Sequence, residues 1–279
     1  MPSTSDKVLA LHEQLTTQIE ALVTGDDWVA FLAVASRFHA YSPNNVLLIL
    51  LQRPHANRVA GYRSWQRLGR QVNKGAKGIA ILAPCVYRKR AVDEAEAADK
   101  PGLARVLRGF TVVHVFDEAD TTGEPIPEVR PVVLDGDATL WDALATQVAA
   151  AGYSVSRGDC APANGYTRFS DHAVVVEQSL SGRQADKTLC HELGHVLLHD
   201  ATRIATDRDL AEIEAESVAY IVCNALGVET ASYSLPYVAN WARGNIDKVR
   251  ATAERVVRTA QVVLAAIESA HDEALEESA

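Results

Sequence analysis

Cys190-His191-Glu192-Leu193-Gly194-His195-Val196-Leu197-Leu198-His199 contains the pattern H-E-x-x-H, and its reading decides the second half of the chain. On a helix, positions i and i+4 lie one turn apart on one face, so His191 and His195 can offer two imidazoles to one ion. Glu192 stands beside them as the candidate catalytic base, able to accept a proton from water. Zn²⁺ suits such a site best, because it takes imidazole and keeps an open fourth position; one ion per chain is expected. The surroundings favour a helix. Ala173-Val174-Val175-Val176 reads as a buried strand, Ser181-Gly182 breaks it, and Arg183 to Leu198 contains no Pro. Leu189, Leu193, Val196 and Leu197 form the apolar stripe. Gly194 costs about 1 kcal/mol of helix propensity relative to Ala, which fits a position where something approaches the backbone closely.

H-E-x-x-H requires a third ligand, and the next helical stretch offers one. Asp207 or Asp209 can cap a helix running to about Ala225, before Gly227. Ile213, Val218, Ile221 and Val222 face a core, while Glu212, Glu216 and Tyr220 share a stripe at i, i+4, i+8. Glu216 sits deep in the apolar half, where an unpaired carboxylate is costly and a metal removes the cost. The expected site is therefore His191, His195 and Glu216 with water in the fourth position. Glu212 is the more exposed alternative, or a group that orients an imidazole. His199 is a rival ligand or a helix-end histidine near the C-terminal dipole.

Net charge is −9, yet the basic residues are not evenly spread. Tyr41 to Val92 contains no Asp or Glu and holds ten of the 27 Lys and Arg residues, which leaves 17 basic against 36 acidic residues elsewhere. Such asymmetry suggests a polyanion-binding module on an acidic body. Within it, Arg58, Arg63, Arg67, Arg70, Lys74 and Lys77 interleave with Tyr62 and Trp65, among glycines that open tight turns. Stacking aromatics in a basic groove hold single strands without reading sequence. The other reading is a solvated basic face with Tyr62 and Trp65 in the core.

Upstream, Val8, Leu11, Leu15, Ile19 and Leu22 form one helical stripe, and Asp26 or Asp27 caps a second helix with Trp28, Phe31, Leu32, Ala35 and Phe38 inward. Ser42-Pro43 starts a third helix that stops at Arg53-Pro54. Ile79 to Tyr87 and Phe110 to Phe116 read as paired antiparallel strands, with Pro84 at an edge or bulge and Ala91 to Gly109 as a surface loop or short helix. Thr121 to Pro127 is a turn-rich linker candidate. Beyond it come a helix at Thr139–Ala151, short strands at Tyr153–Ser156 and Tyr166–Phe169, a loop bearing Tyr233, Tyr237 and Trp241, a long amphipathic helix at Asn245–Glu268, and a frayed acidic tail from Asp272. The expected class is α+β in two domains: residues 1–130, helices with a β-hairpin that bind DNA, and residues 131–279, a zincin-like metallopeptidase. Cys85, Cys160, Cys190 and Cys223 are dispersed and read as free thiols, Cys190 as core. Met1 to Asp6 lacks a signal-peptide pattern and no apolar run reaches the ~18 residues of a membrane span, so a cytoplasmic protein with no membrane partner is expected.

Tyr41-Ser42-Pro43-Asn44-Asn45, Arg58-Val59-Ala60-Gly61-Tyr62-Arg63-Ser64-Trp65, Leu68-Gly69-Arg70-Gln71-Val72, Lys74-Gly75-Ala76-Lys77-Gly78-Ile79 and Leu82-Ala83-Pro84 together resemble the N-terminal single-stranded-DNA-binding domain of ArdC-type antirestriction proteins. His191 to His195 with Ala215-Glu216-Ser217-Val218-Ala219-Tyr220 resembles the metallopeptidase half of that family and the related ImmA/IrrE-type peptidases. The resemblance implies a DNA-binding module joined to a zinc-dependent peptidase-like domain, a link to mobile elements or antirestriction, and Glu216 at the third ligand position. Two functions compete. One is a zinc metalloprotease with a protein or peptide substrate, in which the Val174 strand accepts substrate at a sheet edge. Tyr220, Tyr233, Tyr237 and His172 are then open candidates for oxyanion help. The other is a non-catalytic DNA-binding antirestriction protein with a structural metal site. A repressor-cleaving regulatory protease is a third reading.

Overall fold

The computed structural model describes residues 4–22, 25–88, 105–126, 140–228 and 245–277. The chain is α+β and divides into two compact units, Met1–Thr17 with Leu48–Pro125, and Gln18–Leu47 with Ile126–Ala279. The boundary expected at 130/131 is thus incomplete, because residues 18–47 belong with the C-terminal half. The apolar periodicity of that segment shows a buried stripe but not which surface covers it.

Three helices open the chain: α1 (Thr4–Ala21), α2 (Gly25–Arg37) and α3 (Pro43–Gln52). The expected stripes are buried, Leu11, Leu15 and Ile19 on α1, and Trp28, Phe31, Leu32 and Ala35 on α2.

In the first unit, β3 (Ile79–Arg88) and β4 (Arg105–Asp117) form the expected antiparallel hairpin, with a register shift between Pro84 and Val86. Proline cannot donate to a ladder, so the shift falls beside it. Arg105 to Gly109, expected in the loop, lies in β4; residues 89–104 fall outside the described residues. β1 (Val59–Gly61) pairs with the other side of β4, and β2 (Arg70–Val72) pairs with β5 (Thr121–Gly123). Thr121-Thr122-Gly123, expected as linker, is therefore a strand. Between β1 and β2, α4 (Tyr62–Arg67) points Trp65 inward, where its indole donates to the Phe116 carbonyl at 2.9 Å.

The second unit holds a three-stranded sheet in the order β6 (Ser154–Gly158), β8 (Ala173–Glu177), β7 (Gly165–Arg168). β6 is parallel to β8 and β7 antiparallel. The Val174 strand, β8, is paired on both sides, so it offers no free edge. The edge adjoining the candidate site is β7. Helices α5 (Trp141–Ala150), α6 (Gly182–Leu198), α7 (Ala201–Thr206), α8 (Arg208–Ala225) and α9 (Ile246–Glu277) complete the unit. Asp207 caps α8 by accepting from the Leu210 N–H. α9 continues through the segment expected to fray. α5 has no cap of its own; Asp186 of α6 accepts from the Leu140 N–H at 3.0 Å. α2 packs on α8 in this same unit, where the Trp28 indole donates to Ser217 Oγ at 3.0 Å. No helix among the described residues is long and apolar enough to cross a membrane.

Candidate functional site

α6 carries the H-E-x-x-H residues and α8 the acidic stripe, and the two helices touch at Gly194. A Cβ there would stand 3.0 Å from Ala215 Cα and 3.3 Å from its carbonyl oxygen. Backbone cannot yield as a flexible side chain does, so the missing side chain lets the helices close. That is the close approach expected at Gly194.

The closure brings three ligand atoms together. His191 Nε2 and His195 Nε2 lie 3.1 Å apart. Glu212 Oε2 stands 3.4 Å from the first and 3.6 Å from the second. Each of these residues offers one ligand atom to a common centre, all within 4.8 Å of one another. The expected third member was Glu216, and the structure puts its carboxylate elsewhere. Glu216 Oε2 faces the other nitrogen of His191, Nδ1, at 3.0 Å, and Oε1 meets Lys187 Nζ at 3.1 Å. The expectation assumed that a buried carboxylate at 216 requires a metal to offset its charge. Lys187 and His191 do that instead, leaving the more exposed Glu212 facing the imidazole pair.

The donor set suits a divalent cation. Glu216 accepts from His191 Nδ1, so Nε2 is the ring atom turned toward His195 and Glu212, where a cation could replace its proton. Burial opposes a charged ring at His191, yet Glu212 and Glu216 outweigh it and hold its pKa up at about 10. His191, then His195, push Glu212 well below the ordinary carboxylate range. A field that holds a proton so firmly also favours a metal cation in its place. One zinc or other divalent ion with two imidazoles, one carboxylate and an open position is consistent with these residues.

Glu192 is buried beside this centre and accepts from Thr167 Oγ1 of β7 at 2.7 Å. Gly165, two residues earlier on the same strand, makes that possible. A Cβ at 165 would fall 2.8 Å from Thr188 Cγ2, 3.0 Å from the Val175 carbonyl and 3.3 Å from Glu192 Oε1. Together they frame a cavity of about 250 Å³ lined by Asn164, Gly165, Gln184, Lys187, Thr188, His191, Glu192 and Glu216. Sequence reading missed Thr167, Lys187 and Glu214. The last had a visible signal, a carboxylate between Ile213 and Ala215 on the buried face of α8. His199 lies outside the cluster; its ring joins His195 to Glu214, both at 3.0 Å. His172 stacks on Tyr153, while Tyr233 and Tyr237 lie outside the described residues.

The basic segment of the first unit sorts into surface and scaffold. Tyr62, Arg63, Arg67, Lys74 and Lys77 are exposed. Trp65 is a correction: it is 1% exposed, so its ring has no free face for a base. Trp65 is drawn in by its indole bond to the Phe116 carbonyl of β4, while Tyr62 at the first position of α4 stays exposed. Arg70 is also scaffold, its guanidinium donating to Thr121 Oγ1 at 2.8 Å and to the Glu124 carbonyl at 2.5 Å. Arg58 is half-buried and pairs with Glu118 at 3.8 Å.

Residues 5–114 match the family model described as the N-terminal domain of anti-restriction factor ArdC. The chain is similar to crystal structures of the antirestriction ArdC protein from the R388 plasmid. The Mn(II)-bound form has a TM-score of 0.52 at 20% identity, covering 82% of this chain and 84% of that one. The metal-free form has a TM-score of 0.49 at 20% identity, covering 82% and 83%. An uncharacterized protein of Bacillus anthracis is 23% identical over 259 residues, 80% of this chain. The chain spans 44% of that relative's length.

Proposed function

We propose that this chain, ArdC-type by its N-terminal domain and its fold, is an antirestriction protein. In this reading its first unit binds single-stranded DNA and its second holds one divalent metal ion at His191, His195 and Glu212. The observation that carries the metal assignment is the convergence of those three ligand atoms on α6 and α8. The Mn(II)-bound relative supports a divalent ion and leaves its identity between zinc and manganese. Exposed Tyr62 among Arg63, Arg67, Lys74 and Lys77 supports a stacking, phosphate-tracking surface.

The chemistry such a site suits is hydrolysis of a peptide bond. A bound divalent ion supplies Lewis acidity toward a carbonyl oxygen. Glu192 Oε1 is left to take a proton from a water in the cavity and deliver it to the departing amine, while Thr167 holds Oε2 and with it the carboxylate plane. Edge strand β7 can pair with an extended substrate backbone. Lys187 and Gln184 give the cavity polar lining.

A second reading, antirestriction by binding alone with a structural metal, draws on two observations. Glu192 is already engaged by a hydroxyl, and residues 5–114 match the N-terminal domain of an anti-restriction factor. Glu192→Gln separates the readings. The variant is expected to keep metal and single-stranded DNA and to lose cleavage of a protein substrate incubated with the chain and DNA. Antirestriction that survives Glu192→Gln at full strength overturns the hydrolytic reading and leaves the binding one.

A further inference from the structure

Behind His195 lies a second, deeper set of side chains. Glu214 is fully buried. Its oxygens receive Arg203 Nη2 at 3.2 and 3.0 Å, Arg255 through Nε at 2.9 Å and through Nη2, and His199 Nε2 at 3.0 Å. With two guanidinium groups on it the carboxylate is an acceptor only, so every one of these contacts is a donation toward Glu214. The guanidinium groups already balance its charge, and His199 is required only to donate.

This fixes the protons along the chain of contacts. If His199 donates from Nε2, a neutral ring has its lone pair on Nδ1. That Nδ1 lies 3.0 Å from Nδ1 of His195. Two lone pairs at this separation would repel, so His195 carries its proton on Nδ1. The His199 side chain is wholly buried, with no exposed edge through which water could supply another partner. His195 Nε2 is then an unprotonated acceptor facing His191 Nε2 and Glu212.

We infer that Glu214 and His199 form a positioning relay that sets the tautomer and ring orientation of His195 so that its Nε2 lone pair is presented to the cation. The inference rests on the metal reading above and deepens it. The two imidazoles are held by different arms. Glu216 reaches His191 directly from α8, whereas Glu214 reaches His195 through a second histidine one turn along α6. Helix geometry explains the difference. The Glu214 side chain ends one imidazole's length from His195, and His199, at i+4, fills the interval.

The test uses the full-length chain with ¹⁵N-labelled imidazoles and two-bond ¹H–¹⁵N correlation, metal-free and then with Zn²⁺, beside Mn²⁺ and Zn²⁺ titrations by chelator competition. In the metal-free wild type the His195 proton is expected on Nδ1. His199→Ala is expected to lose that preference and to weaken both metals about 10–100-fold, the usual cost of removing a group that orients a metal ligand. His199→Asn offers an amide oxygen near the place of Nδ1 and is expected to recover most of the affinity. A wild-type His195 protonated on Nε2, or affinities unchanged in His199→Ala, overturns the relay. If His199→Ala does not fold, the wild-type spectrum and His199→Asn still decide. A wild type that has the Nδ1 proton and binds neither metal keeps the relay and removes the metal reading.

Discussion

At the scale of single residues, Glu212 and Glu216 are one helical turn apart yet are assigned different work. Glu212→Ala is expected to abolish stoichiometric metal, as His191→Ala and His195→Ala do. In the proposed assignment Glu216 only orients His191, so Glu216→Ala should retain the ion with affinity reduced about 10–100-fold. Elemental analysis of the four variants checks this; the reverse pattern, zinc or manganese kept in Glu212→Ala and lost in Glu216→Ala, restores the ligand read from sequence. Asp186 carries a second residue-scale prediction. Burial raises its pKa above the ordinary 3.8, the Leu140 N–H opposing only in part. For an acid raised in the folded state, the buried charge costs stability at pH above the folded pKa. The cost is relieved as pH falls through that value toward 3.8. The melting temperature of the wild type should therefore rise relative to that of Asp186→Asn as pH falls from 7 to 4. A wild type whose melting temperature falls relative to that of Asp186→Asn over the same window contradicts this account.

At the scale of elements, contacts that no local pattern encodes decide the site. Gly194→Ala illustrates this. Helix propensity alone predicts a gain of about 1 kcal/mol. The contact with Ala215 backbone predicts the opposite, a lower melting temperature together with weaker Mn²⁺ binding, since α8 carries Glu212. A stabilised variant with unchanged metal affinity refutes the packing argument. Much of the frame was legible beforehand. The H-E-x-x-H helix, the β3–β4 pairing and the Asp207 cap follow from spacing and capping chemistry. The choice between Glu212 and Glu216 was not legible. Both lie on one stripe, and the sliding of α8 against α6 by a single turn exchanges them. The same limit applies to Trp65. Alternating basic and aromatic residues suggest a stacking surface, but Tyr62 and Trp65 are i and i+3 neighbours on α4, and only the strand packed on that helix decides that Trp65 is buried while Tyr62, at the helix start, stays exposed. Tyr62→Ala should weaken single-stranded DNA binding by about 1–3 kcal/mol with the fold intact. Trp65→Ala should cost about 3–5 kcal/mol of stability, as truncating a buried aromatic does. Denaturation curves beside anisotropy titrations distinguish the two.

At the scale of the whole molecule, the charge asymmetry predicts how DNA affinity responds to salt. Each phosphate contact releases counterions, so Arg63→Ala, Arg67→Ala, Lys74→Ala and Lys77→Ala should each flatten the slope of log affinity against log salt by about 0.7 on a single strand. Arg70→Ala, with its guanidinium already tied to Thr121 and the Glu124 carbonyl, should act through stability instead. A slope unchanged in all four surface variants removes this face from the DNA-binding surface. The division of the chain makes one further demand. A fragment of residues 131–279 lacks α2, and with it the surface that buries Trp28 on α8. It should aggregate or melt well below a version in which residues 18–47 are supplied. A fragment as stable as the intact unit contradicts that assignment.

The partnership of α2 with α8 also sets a schedule for synthesis. α2 is complete at Arg37, while α8 ends at Ala225, so the ribosome adds about 190 residues before the second helix exists. At roughly 5–20 residues per second this takes about 10–40 s. Throughout that interval Trp28 and Phe31 sit on a nascent helix whose lasting partner has not been made. The segment that begins the second unit is therefore made first and must wait for α8 before its apolar face has the cover it keeps in the fold.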